Sequence, residues 1–277
     1  PRTLGLRIHD VIRLTNYSQA ADNNKNLRIT GLSATTITVA ETLTVNGAAD
    51  TTVTITRPKK LIQGLTARSF SLEELEKDID GSELFTGIRF GQLRLQMAAN
   101  GMATVTFTGA GKNMQTLDGS NAPYFVSPTA TTTLGLTTVE AVIRLNSGDV
   151  VDLTALDLTI DLKAAGINCI GSETTPDVFT NLAEVTMNLT ALRQDLSRVN
   201  NFIDEDDMSL HLLFTENEAE PKDFVSFAGP YFTLATAAKS ELGQDGPRTV
   251  QFTALCGIDE RGTGYDETMI KMSTSAT

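Results

Sequence analysis

Hydrophobic and β-branched residues recur at every second position through most of the chain, and clusters of Asn, Asp, Gly and Pro fall between the runs. That rhythm predicts strands joined by turns. In the first 57 residues, segments 5–14, 27–29, 36–39, 43–45 and 52–55 read as short strands, with Asn46-Gly47 as a turn signal. Strands so closely spaced predict a small β-barrel-like subdomain over 1–57. Further on, Leu93, Leu95 and Met97 alternate up to Asn100-Gly101, and Ala103, Val105 and Phe107 alternate back, which is the pattern of a hairpin. Between these, segment 69–77 fits two templates. Phe70 and Leu72 alternate, whereas Leu72, Leu75 and Ile79 share a helical face, and the choice stays open.

Segment 112–136 is rich in Thr, Ser, Pro and Gly and reads as a long loop or extended arm with little core of its own. Leu156, Leu158 and Ile160 then face one way, as do Val185, Met187 and Leu189. One helix is predicted over 190–204, with Thr190 as its cap and Leu192, Leu196, Val199 and Ile203 at helical spacing. Asp204-Glu205-Asp206-Asp207 ends it. Strands follow at 208–214, 224–237 and 248–256, Asp245-Gly246-Pro247 is a turn, and 258–277 reads as a flexible or partner-ordered tail.

An internal similarity organises the middle of the chain. Leu65-Thr66-Ala67-Arg68-Ser69-Phe70-Ser71-Leu72 resembles Leu153-Thr154-Ala155-Leu156-Asp157-Leu158-Thr159-Ile160. Glu83-Leu84-Phe85-Thr86-Gly87 and Asp177-Val178-Phe179-Thr180-Asn181 lie downstream of each, followed by the strands 93–97 and 185–189. The reading is of two related β units, 58–150 and 151–257, so that a ring could carry twice as many modules as chains.

Composition changes this picture mainly by exclusion. The 277 residues carry a formal charge of −12, a surplus of carboxylates that argues against tight nucleic-acid binding. No run approaches the ~18 apolar residues of a membrane helix. Cys169 and Cys256 are in no metal-type spacing, and His9 and His211 are the only histidines, so no metal or cofactor is called for. Motifs for nucleophilic, phosphate-binding and zinc chemistry are missing. Gly109-Ala110-Gly111-Lys112-Asn113 resembles a phosphate loop but lacks the upstream Gly and the Ser/Thr after Lys. Only carboxylate chemistry of the glycosidase kind stays open. The acidic run at 204–207 would sit unfavourably at a helix C-terminus, which points to a cationic partner on a neighbouring subunit. The chain therefore reads as non-enzymatic; a carbohydrate- or receptor-binding β-sandwich is the rival, weakened by four Tyr and no Trp.

Three stretches carry a family resemblance. They are Asn26-Leu27-Arg28-Ile29-Thr30-Gly31-Leu32 with Thr36-Ile37-Thr38-Val39; Arg68–Glu74, Phe85-Thr86-Gly87 and the hairpin through to Gly109-Ala110-Gly111-Lys112; and Asp177-Val178-Phe179, the helix, and 245–255. Together they resemble the tail tube (major tail) proteins of long, non-contractile-tailed phages. That family pattern has further strands before the first stretch and a Gly where Asn181 stands, so a preceding part of the chain is expected to be missing. The resemblance implies a mainly β fold: duplicated tail-tube β-sandwich or barrel units with one flanking helix, plus the small N-terminal β subdomain. It implies self-assembly into stacked rings around a lumen for DNA ejection, as a trimer with pseudo-sixfold symmetry or as a hexamer. Implied partners are copies of itself, the tape-measure protein, tail-tip or terminator proteins and phage DNA passing without tight binding, in a virion and with no membrane. The expected lumen positions are Gln92, Arg94, Gln96, Thr104, Thr106, Glu184, Thr186 and Asn188. Asp204, Glu205, Asp206, Asp207 and Lys112 are expected at subunit contacts, with 112–136 and 258–277 between rings.

Overall fold

The structure, a computed structural model, describes the chain apart from residues 65, 132–134, 147, 151, 217–220, 242–245, 263 and 276–277. Leu65, which opens the internal similarity, and Asp245 of the expected turn therefore lie outside the described residues. Near the N-terminus, β1 (Val11–Thr15), β2 (Leu27–Leu32), β3 (Ile37–Val39) and β4 (Thr54–Thr56) form a four-stranded antiparallel sheet in the order β3-β2-β1-β4. Leu6, Ile12, Leu14, Leu27 and Ile29 fill its core. The expected strand at 5–14 begins only at Val11, because Gly5 (φ 77°) and His9 (φ 68°) adopt left-handed backbone that interrupts extension. Segment 43–45 is not a strand.

The remaining strands up to the first long connection are β5 (Lys59–Ile62), β6 (Phe70–Glu76), β7 (Gly81–Ala98), β8 (Thr104–Ala110) and β9 (Asn113–Asp118). Segment 69–77, which fitted both templates, is thus extended. The expected hairpin forms as β7 and β8, with Leu93 opposite Phe107 and Leu95 opposite Val105, and Asn100 takes the positive φ of its turn. The expected loop at 112–136 opens instead with strand β9. The first half of β7 pairs with both β6 and β9, so that Met114 stands opposite Phe85 and Leu72 opposite Phe85 on the other edge. These three strands make an arm beyond the main body.

Next come β10 (Val142–Leu145), β11 (Gly148–Val150), β12 (Leu153–Asp161), the small hairpin β13 (Ala165–Ile167) and β14 (Asp177–Phe179), β15 (Glu184–Leu192) and the helix α1 (Ser197–Ile203). The chain finishes with β16 (Met208–Thr215), β17 (Phe224–Lys239), β18 (Thr249–Cys256) and β19 (Lys271–Thr274). Apart from β13 and β14, all strands from β5 onward belong to one thirteen-stranded sheet. The helix is shorter than the expected 190–204. Thr190 and Ala191 continue β15, paired on one edge to β12 and on the other to β18, and two-sided pairing overrides the helical spacing of Leu192 and Leu196. The chain turns helical after Asp195, whose carboxylate accepts the Ser197 N–H at 2.9 Å.

The sheet folds back at β17. Its first half pairs with β16 and its second half with β18, so β10 and β16 share one core with β12, β15 and β18. Leu158, Met187, Leu212, Phe232 and Ala254 are fully or almost fully buried there, each large side chain contributing about 1.5–3 kcal/mol. The molecule is a β-sandwich with a flanking helix. The tail expected to be flexible or ordered by a partner packs on its own chain: Asp259, Thr268, Ile270, Lys271 and Ser273 are buried, and β19 inserts between β17 and β5. Burial of Lys271 explains why. Its ammonium donates to the Ile8 carbonyl at 2.6 Å, to Asp10 at 2.9 Å and to Asp266 at 3.0 Å, tying the C-terminal segment to the N-terminal sheet. Arg28 adds a fork onto Asp149 at 3.0–3.1 Å and a bond to Glu41 at 2.6 Å.

Candidate functional site

Strand alternation puts every second side chain on the same face, so neighbours in register share a face across a sheet. Six strands run β8-β7-β12-β15-β18-β17 in an unbroken antiparallel series. On one face of this layer lie Leu95, Leu158, Met187 and Ala254, which enter the core. The other face is mostly polar, with Leu255 of β18, opposite Thr186, an exposed apolar residue on it. Arg94 stands opposite Thr106 on β8 and Thr159 on β12, Thr159 opposite Thr186, and Asn188 opposite both Asp157 and Thr253. All eight positions expected at a lumen (Gln92, Arg94, Gln96, Thr104, Thr106, Glu184, Thr186, Asn188) therefore meet on one face of one layer.

Cross-strand polar contacts stiffen that face. The Arg94 guanidinium forks onto Asp157, with Nε 2.9 and 3.0 Å from its two oxygens, and this pairing holds the Asp157 carboxyl below the usual range. Gln92 and Gln96 reach Asp161 and Asp157 at 3.4 Å, and the Thr253 hydroxyl donates to the Asn188 carbonyl oxygen at 3.0 Å. Lys163, just past β12, pairs with Glu184 at 2.7 Å. The ionised groups are two cations, Arg94 and Lys163, against three carboxylates, Asp157, Asp161 and Glu184. Sequence reasoning missed the central β12 contribution of Asp157, Thr159 and Asp161, although Leu156, Leu158 and Ile160 had already marked the alternate face. Gln251 and Thr253 of β18 were missed in the same way.

The expected subunit-contact residues lie elsewhere. Asp204, Glu205, Asp206 and Asp207 are exposed at the end of α1. Lys112 sits at the base of the arm and pairs with Asp177 at 2.8 Å, a carboxylate it shares with Arg89 at 3.2 Å. Gly87, at φ 66°, leaves room for the Lys112 stem, since a Cβ there would approach it to 2.8 Å.

Both ends of the polar layer are open. Among the described residues, β8 pairs only with β7, and beyond Phe232 strand β17 pairs only with β18. Among the described residues there is no group of three or more His, Cys, Asp or Glu able to hold a metal ion, and no helix is long and apolar enough to cross a membrane.

No curated protein matches the chain. The family profile described as phage tail tube protein matches residues 17–256, which spans the N-terminal sheet from β2 onward, the arm, the polar layer and α1. The chain is a mainly β structural component of the phage virion and belongs to the phage tail tube protein family.

Proposed function

We propose that copies of this chain join edge to edge into a ring whose channel is lined by the polar face, and that such rings stack into the tail tube through which DNA leaves the virion. The carrying observation is the direction of the two open edges. Six strands alternate in direction from β8 to β17, so the edge of β17 after Phe232 runs opposite to β8. A neighbouring copy related by rotation about the channel presents β8 to that edge in antiparallel sense, and continued joining closes a barrel with no unpaired backbone. The lining supports passage without capture, since one more carboxylate than cation leaves no positive surplus to release phosphate counterions.

Three chains with pseudo-sixfold symmetry or six chains would each satisfy this closure. The internal similarity favours three, although its two halves are placed differently: β12 pairs with β15 directly, whereas β6 pairs with the arm half of β7. For contacts between rings, the exposed Tyr124, Phe125 and Val126 are the apolar part of 112–136 available to a stacked copy, to the tape-measure protein or to tail-tip and terminator proteins. Negative-stain microscopy of the purified chain at rising concentration, with mass photometry on the same sample, tests the reading. Rings or tubes with particle masses in multiples of three chains are expected. Multiples of six alone would remove the trimer, and a chain that stays monomeric throughout would overturn the tube and favour a binding module.

A further inference from the structure

Along its middle rows the core-facing side of the polar layer is covered on β7, β12, β15 and β18 and uncovered at β8. Leu158, Leu95 and Val105 form one cross-strand row, and the first two are buried while Val105 is exposed. Phe107 is 57% exposed and stacks on Phe90 at 5.6 Å, which stacks on exposed Phe70 at 5.3 Å. An aromatic patch of this kind, continuous with an open strand edge, is a surface suited to burial by a partner.

At the opposite edge the chain carries a matching element. Helix α1 packs on β17 and leads through Asp204–Asp207 into β16, whose first residue, Met208, stands opposite Phe232. That is the residue after which the β17 edge is open, so α1 borders the open edge. Phe202 of α1 enters the core, while Leu196 and Ile203 stay exposed, Ile203 by 67%. Antiparallel joining also fixes which ends meet. The last residues of β8, leading to Lys112, come to the start of the open β17 edge, where the α1 carboxylates lie. There, among the described residues, Arg89 and Lys112 both pair with the one carboxylate of Asp177, so that two positive charges face one negative charge. The run Asp204, Glu205, Asp206 and Asp207 supplies four exposed negative charges.

We infer that α1 of one copy is the lid of the next copy's β8: Leu196 and Ile203 cover Val105 and Phe107, while Asp204–Asp207 face Lys112 and Arg89 across the seam. This rests on the tube reading and adds the occupant and the contact residues. It is tested with Ile203→Cys and Phe107→Cys chains, each in a Cys169→Ser background because Cys169 is the exposed native thiol. The two are mixed, assembled and treated with a short bis-maleimide. A cross-linked heterodimer as the main product, absent from either chain alone, is expected. Phe107→Asp is expected to lose rings while the dispersed chain keeps its melting temperature, and Lys112→Glu to lose rings that Asp206→Lys in the same chain restores. Rings or tubes that form without the heterodimer would overturn the seam and leave the tube standing. Chains that neither assemble nor cross-link would overturn both.

Discussion

Acid should loosen the joint between the N-terminal sheet and the sandwich, through two histidines. His9 and His211 are 8% and 2% exposed, with ring centroids 5.9 Å apart, and among the described residues neither His9 Nδ1 nor His211 Nε2 has a hydrogen-bond partner. Burial, then Lys271, Arg261 and Arg144, pushes His9 down from 6.5 to about 3, with Asp259 opposing. Burial, His9, Arg28, Lys271 and Arg144 push His211 well below the ordinary value. Both are therefore neutral in the folded chain and charge only on unfolding. Their contribution is complete above pH 6.5 and is lost as the pH falls toward 3, since the unfolded chain binds the protons. Acidifying to about pH 5 costs roughly 2 kcal/mol for His9, at 1.36 kcal/mol per pH unit, and His211 adds a loss in the same direction. Urea unfolding of the dispersed chain at about pH 7.5 and about pH 5 measures the difference. The carboxylates held low by partners, such as Asp266 beside Lys271 and Lys60, titrate mostly below this window. Replacement of His9 by Asn, which tolerates the left-handed backbone, and of His211 by Gln should each reduce the pH effect. A wild-type chain equally stable at both pH values, or a double variant with the full loss, would refute the reasoning.

Lys271→Met removes the nearest cation from Asp10, a fully buried carboxylate left with Lys60 at 3.3 Å and Arg57 at 3.8 Å, and should cost up to about 3 kcal/mol in urea unfolding at neutral pH. Gly91→Ala would put a Cβ 2.4 Å from the Ala164 Cβ and 2.9 Å from its backbone nitrogen, so a loss of about 1–3 kcal/mol is expected from the same measurement. Phe232→Ala, at the strand where the sheet folds back, should cost about 3–5 kcal/mol. Arg94→Ala removes a partly exposed ion pair on the polar face and should shift the dispersed chain's stability by less than about 1 kcal/mol, read as melting temperature.

Alternation made the polar layer legible. Leu93–Leu95–Met97 and Val185–Met187–Leu189 each repeat with period two, and a period of two assigns the intervening polar residues to the opposite face without knowledge of the pairing. What alternation could not supply was the order of strands. That β12 would lie between β7 and β15 depends on contacts far apart in the chain, and so Asp157, the partner of Arg94, went unseen. The helix start was misplaced for a related reason: Thr190, Leu192 and Leu196 satisfy a helical period, but pairing of Thr190 and Ala191 with both β12 and β18 is a tertiary effect absent from local spacing. The tail was misread because Gly, Thr, Asp and Ser suggest solvent, whereas Asp259, Asp266 and Lys271 are held by specific partners.

β8 differs from the edges that isolated proteins protect. An exposed edge strand is ordinarily blunted by Lys, Pro or an inward-facing charge. Thr104-Val105-Thr106-Phe107-Thr108-Gly109-Ala110 has none of these, and its seven residues are almost all exposed. Such a β-branched, uncharged segment is an aggregation hazard in a monomer unless its pairing is directed. Direction comes from the surroundings. The −12 charge of the chain opposes indiscriminate contact, and in the proposed seam the aromatic patch on one side of β8 and the cations at its end would select the orientation in which edge, apolar surface and charge are satisfied together. In the ring proposed above, such an unprotected edge beside an uncovered aromatic cluster would serve as the joint, the backbone pairing supplying strength and the flanking side chains the angle at which the next copy is added.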